Sequence, residues 1–115
     1  MKPPEKEKIM LYRNDTADFL GFEFATFRLR EGKSEKDLVE LSKEVDERFL
    51  SEQEGLLSHF LLRGKDGFYA DVAIATTQER AEEVCQLWLH NDVAKKYLEL
   101  LDQESVDMTF WSRIT

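Results

Sequence analysis

The 115-residue sequence is poor in the residues that carry most enzyme chemistry: one cysteine, Cys85, and two histidines, His59 and His90. A lone cysteine excludes an internal disulfide, and one thiol with two widely spaced imidazoles matches no zinc motif. No glycine-rich phosphate loop and no nucleophile-elbow pattern occurs. Neither a metal nor a nucleotide cofactor is therefore expected; the cofactor expectation is none. No apolar run approaches the ~20 residues of a membrane-spanning helix. Basic residues are outnumbered, 16 against 24 acidic, for a net charge of −8, and no basic stripe forms. That balance argues against nucleic acid and against an anionic membrane surface. Pro3-Pro4 and the alternating charges after it contain no apolar segment of signal-peptide type. With a single thiol, this makes cytoplasmic the expected location.

What is present is an ordinary globular balance, 42% hydrophobic and 35% charged, in a chain long enough for one domain and one core. Residues 1–20 read as an N-terminal extension, its first eight residues disordered. Within it Ile9 to Tyr12 suits a short edge strand and Asn14-Asp15-Thr16 a turn. Residues 21–115 form the domain. Phe22 to Arg30 reads as a strand. Ser34 with Asp37 three residues on is a capping box, opening a helix whose stripe is Leu38, Leu41, Val45 and Phe49. Leu56 to Arg63 and Phe68 to Ala75 are strands around Gly64-Lys65-Asp66-Gly67, too short a link for anything but an antiparallel hairpin. Thr76-Thr77-Gln78-Glu79 opens a second helix using Ala81, Val84, Cys85 and Trp88. Asn91 or Asp92 caps a third carrying Val93, Ala94, Tyr97, Leu98 and Leu101. Val106 to Ile114 is the last strand.

The order β-α-β-β-α-α-β defines an α+β, ferredoxin-like protomer: a four-stranded antiparallel sheet with helices on one face and the other face open. Side-chain alternation sends Val106, Met108, Phe110 and Ile114 under the helices and Thr109 and Trp111 to the open face. In Phe68 to Ala75 it sends the more apolar set, Phe68, Ala70, Val72 and Ile74, under the helices, leaving Tyr69 and Asp71 on the open face. A hairpin flanked by residues 63 and 68 pairs Phe60 with Asp71 and Leu62 with Tyr69. Phe60 then lies on the open face and His59 under the helices; a turn one residue longer or shorter reverses this. So apolar an open face predicts a homodimer joined through it.

The stretches Phe27-Arg28-Leu29-Arg30-Glu31-Gly32, Gly55-Leu56-Leu57-Ser58 and Asp66-Gly67-Phe68-Tyr69-Ala70-Asp71-Val72, with Ala81 in the second helix, resemble the antibiotic-biosynthesis-monooxygenase-type family of dimeric α+β barrels. The resemblance spans about residues 22–114. It implies a dimeric barrel and a cleft for a small hydrophobic or aromatic molecule. Known members include cofactor-free monooxygenases acting on aromatic polyketides and haem-degrading enzymes. The departures are specific. Ala75 stands where the family often has tryptophan, strand one has no asparagine, and Arg80 stands ten residues before His90 where haem degraders carry a tryptophan–histidine pair. Haem degradation is accordingly not expected.

Two readings stay open. In the first the chain is a cofactor-free oxygenase or related enzyme, with Asp71 or His59 handling a proton and Trp111, Tyr69, Phe60 and Thr109 enclosing the substrate. In the second it is a non-catalytic homodimeric module that binds a ligand or a protein. Asp71, mid-strand among apolar neighbours, needs a partner, for which Arg28 or Arg113 is available. His90 suits a helix C-terminus, and Cys85 reads as a small core residue.

Overall fold

The computed structural model describes residues 11–12 and 18–115. The expected disorder of the first eight residues and the turn at Asn14-Asp15-Thr16 lie outside them. The elements are β1 (Leu11–Tyr12), β2 (Gly21–Arg28), α1 (Glu35–Arg48), β3 (Leu56–Arg63), β4 (Phe68–Ala75), α2 (Gln78–Leu87), α3 (Asp92–Leu98) and β5 (Asp107–Ser112). All strands join one antiparallel sheet in the order β1-β3-β4-β2-β5. Strands β2 to β5 make the ferredoxin-like four-stranded sheet with helices on one face. The two residues of β1 add an edge beside β3, so this part of the expected extension is built into the sheet.

Local chemistry sets the helix starts. Ser34 and Asp37 form the full reciprocal capping box. Thr77 Oγ1 accepts from the Arg80 N–H and Asn91 Oδ1 from the Ala94 N–H, capping α2 and α3. Leu38 and Val45 of α1 pack with Phe27 of β2, Leu56 of β3, Val84 and Trp88 at the end of α2, and Tyr97 of α3. Each of these side chains is buried, worth about 1.5–3 kcal/mol apiece for the larger apolar ones. No helix among the described residues is long and apolar enough to cross a membrane.

The β3–β4 hairpin departs from expectation in a way that moves the site. Asp66 (φ 58°) and Gly67 (φ 79°) both adopt positive φ, the mark of a type I′ turn, and the Phe68 N–H closes it onto Lys65 O at 3.1 Å. Gly64 N–H then donates to Phe68 O, and Arg63 pairs with Tyr69. Phe60 lies opposite Val72 and Leu62 opposite Ala70, one residue away from the expected pairing. His59 still faces the helices and Phe60 the open side, but β4 is reversed. Asp71 and Tyr69 point under the helices, while Phe68, Ala70, Val72 and Ile74 take the open face. A one-residue slip exchanges the two faces of a strand, and β4 is apolar on both, so its composition does not resist the exchange.

The open face is consequently more apolar than expected. Phe22 and Phe24 stack there at 6.4 Å between centroids. Trp111 stands opposite Phe22 and Thr109 opposite Phe24, with Trp111 57% exposed.

Candidate functional site

Five elements bring polar side chains together beneath the helices. Asp46 comes from the inner face of α1, His59 from β3, Asp71 from β4, Tyr97 from α3 and Glu23 from β2; all five are buried. The sheet register explains the spacing. His59, Ala73, Glu23 and Phe110 form one row across four strands, and Leu61, Asp71, Ala25 and Met108 form the next. The small side chains of Ala73 and Ala25 leave room between the larger polar ones.

His59 is fully buried and holds two carboxylates. Its Nδ1 lies 2.6 Å from Asp46 Oδ1, and its Nε2 lies 2.9 Å from Asp71 Oδ1 and 3.0 Å from Asp71 Oδ2. Tyr97 donates its hydroxyl to Asp71 Oδ2 at 2.5 Å. Burial alone would lower the imidazole pKa, but the charge of Asp71 and the bonds to Asp46 and Asp71 outweigh it and hold His59 well above its usual value. Both ring nitrogens therefore donate, as an imidazolium's must. Burial, then the charge of Asp71, pushes the Tyr97 phenol well above its usual range, so it remains a donor.

Glu23 behaves differently. No hydrogen bond or ion pair from a described residue reaches its carboxyl group. Burial first, and the charge of Asp71 second, push its pKa from 4.5 to about 8, with His59 opposing. Glu23 is thus mostly protonated at neutral pH.

Beside the cluster lies a cavity of about 230 Å³. Glu23, Ala25 and Phe27 of β2 and Asp71 of β4 form its floor, and Cys85, Trp88 and Tyr97, with Leu101 beyond the end of α3, form the opposite wall. Exposed Gln86, Leu89, Gln103 and Met108 also line it, so it reaches the surface beside the segment joining α2 to α3. Cys85 Sγ lies 3.3 Å from Met108 Sδ. Burial, with help from Glu23 and Asp71, pushes the thiol up to about 12, which leaves it unreactive. Among the described residues, no lysine, arginine or histidine lines the cavity.

Of the six residues singled out from sequence, the fold brings His59 and Asp71 into contact, and Asp71 reaches the cavity. Asp71 takes His59 and Tyr97 as partners in place of Arg28 or Arg113. Tyr69 is under the helices too, but it stacks on Phe27 at 6.2 Å and donates its hydroxyl to Glu35 instead of lining the cavity. Trp111, Phe60 and Thr109 lie across the sheet from the cavity; Trp111 Nε1 donates to Thr109 Oγ1 at 2.8 Å. Sequence reasoning passed over Glu23, Asp46 and the Tyr97 hydroxyl. The available signals were that Glu23 shares strand parity with Ala25 and Phe27, and that Ser42 and Asp46 stand one turn apart beside the Leu38–Val45 stripe.

This architecture is the ferredoxin-like fold that the sequence resemblance implies. No family model and no curated protein matches the sequence. Among solved structures, the chain is similar to an uncharacterized ferredoxin fold protein related to antibiotic biosynthesis monooxygenases from Listeria monocytogenes. They share 12% identity at a TM-score of 0.67 over 92% of this chain and 62% of that one. It is also similar to a dimeric ferredoxin-like protein from an uncultured marine organism, with 14% identity, a TM-score of 0.59, and 88% and 93% of the two chains covered. A third is SnoaB, a cofactor-independent oxygenase from Streptomyces nogalater, with 15% identity, a TM-score of 0.54, and coverage of 83% and 91%.

Proposed function

We propose that the chain binds a compact, largely apolar molecule in the cavity between the sheet and the α2–α3 segment and acts on it as a cofactor-free oxygenase. The observation that carries this reading is a buried hydrogen-bonded chain, Asp46–His59–Asp71, that ends at the wall of a largely apolar cavity. In such chemistry the substrate supplies the electrons. Proton loss from a CH₂ carbon gives a carbanion that dioxygen oxidises, with the overall balance CH₂ + O₂ → C=O + H₂O. The protein's share is a base, a water-poor pocket and fixed charges that do not reorganise. Asp71 and His59 are proposed here as that fixed array. The likeness in fold to SnoaB, described as a cofactor-independent oxygenase, supports the reading.

Size narrows the substrate. A roughly 150 Å³ apolar cavity accommodates benzene, so about 230 Å³ suits one ring or two fused rings. We further propose that two protomers pair through the open face, where Phe22, Phe24 and Trp111 are gathered. One solved structure of similar fold is described as dimeric.

One observation favours the non-catalytic module: His59 and Asp71 direct their hydrogen-bonding atoms at each other and at Asp46 and Tyr97, as a purely structural cluster would. Dioxygen uptake with a panel of one- and two-ring phenols and benzylic ketones separates the readings. Uptake with any compound that binds the cavity supports the oxygenase. Binding without uptake across the panel supports the module.

A further inference from the structure

We propose that Glu23 is the group that takes the proton, and that the molecule it serves is a neutral carbon or oxygen acid of one or two rings. The inference rests on the cavity reading above and adds a catalytic residue and a charge requirement to it. Asp71 and His59 are badly placed to receive a proton directly. Asp71 Oδ1 accepts from His59, and Asp71 Oδ2 accepts from both His59 and Tyr97. His59 is wholly buried with both nitrogens engaged. Glu23 is 6% exposed, lines the cavity, and has no partner among the described residues. Buried carboxyl groups normally find hydrogen bonds, so one left unpaired against a cavity is available to a ligand.

The groups around Glu23 are Asp71 on β4, His59 on β3 with Asp46 of α1 behind it, Cys85 on α2 and Tyr97 on α3. Only His59 among them is a cation, and it already balances two carboxylates. Their net effect and burial make ionised Glu23 a stronger base than a solvated carboxylate.

In the step itself, a C–H or O–H bond of the ligand breaks and its electron pair stays on the ligand as an enolate or phenolate. An O–H bond forms on Glu23. One negative charge moves from the carboxylate to the ligand, and the charge within the cavity is unchanged. A ligand that arrives as an anion brings a second charge beside Asp71 with no cation among the described lining residues to meet it. The site therefore selects neutral molecules.

The test uses the full chain and 2-indanone, a two-ring enolisable ketone, in D₂O. Proton NMR follows α-proton exchange on the ketone, and amide shifts of Ala25, Leu101 and Met108 report binding. Wild type is expected to accelerate exchange, with a rate that rises with pH and levels off above about 8. Glu23→Gln should lower that rate by at least about a hundredfold while the binding shifts persist. Glu23→Asp should recover part of it. Indane-2-carboxylate, an anion on the same frame, should bind at least about tenfold more weakly, a difference of about 1.4 kcal/mol. Binding with equal exchange in wild type and Glu23→Gln overturns the assignment of Glu23 and leaves the cavity reading standing. Absence of any shift at Ala25, Leu101 and Met108 overturns both.

Discussion

Glu23 and Asp71 lie on adjacent strands with both carboxyls under the helices, yet Asp71 accepts bonds from His59 and Tyr97 while Glu23 accepts none from a described residue. Asp71 is tied into a hydrogen-bonded cluster, while burial leaves the unpartnered Glu23 mostly protonated. Several measurements follow from that contrast.

Glu23→Gln should stabilise the protein at neutral pH. The folded pKa is raised from 4.5 to about 8, so the protonated group's contribution is fully present below pH ~4.5 and is lost as pH rises towards 8. At pH 7 the wild type forgoes about 3 kcal/mol relative to an unshifted carboxyl, which glutamine restores. Urea unfolding of both proteins at pH 4, 6 and 8 should show a gap that opens with pH. A constant gap would contradict a buried, ionisable Glu23.

His59→Ala should cost about 3–5 kcal/mol, because it strands two carboxylates without their shared cation. The imidazole pKa is raised in the fold, so its stabilisation is fully present below pH ~6.5 and fades as pH rises through the folded value. Measured in the Glu23→Gln background, stability should fall on the alkaline side with His59 present and lose that dependence in the alanine variant.

Gly21 begins β2 directly against the start of α2. A Cβ there would lie 2.1 Å from the Thr77 carbonyl oxygen, and backbone cannot rotate away as a side chain does. Gly21→Ala should therefore destabilise by about 1–3 kcal/mol, read as a lower thermal midpoint. A midpoint equal to wild type would show that the β2–α2 junction is looser than this contact requires.

How much of this was legible in the sequence depended on the range of the interaction. Ser34 with Asp37 and Thr77 with its helix are contacts within four residues, and the helix starts follow from them. The β3 and β4 bounds, Leu56–Arg63 and Phe68–Ala75, follow from composition and the Asp66-Gly67 turn. The register between those strands does not follow, because it depends on how the turn closes, and Ala70, Val72 and Ile74 are as acceptable on the open face as under the helices. That one-residue difference moved Asp71 and Tyr69 beneath the helices and left Trp111, Phe60 and Thr109 on the other side of the sheet. Glu23 escaped notice because a glutamate between Phe22 and Phe24 reads as the solvent side of an alternating strand. Only the small Ala25 and Ala73 beside it, on different strands, reveal the space it faces.

If two protomers pair through the open face, a charge placed at its centre should separate them. Phe24→Glu and Trp111→Glu should each halve the mass measured by size-exclusion chromatography with light scattering, with far-ultraviolet dichroism unchanged. A wild type that is already monomeric, or variants that keep the wild-type mass, would rule out this face as the interface.

The most direct test of the central claim is a crystal structure with 4-bromophenol, locating the bromine by its anomalous scattering. The expected result is a peak in the cavity, among Trp88, Leu101 and Met108, with the phenol oxygen directed at Glu23. A peak against Trp111 and Phe60 on the open face, with none in the cavity, would contradict it.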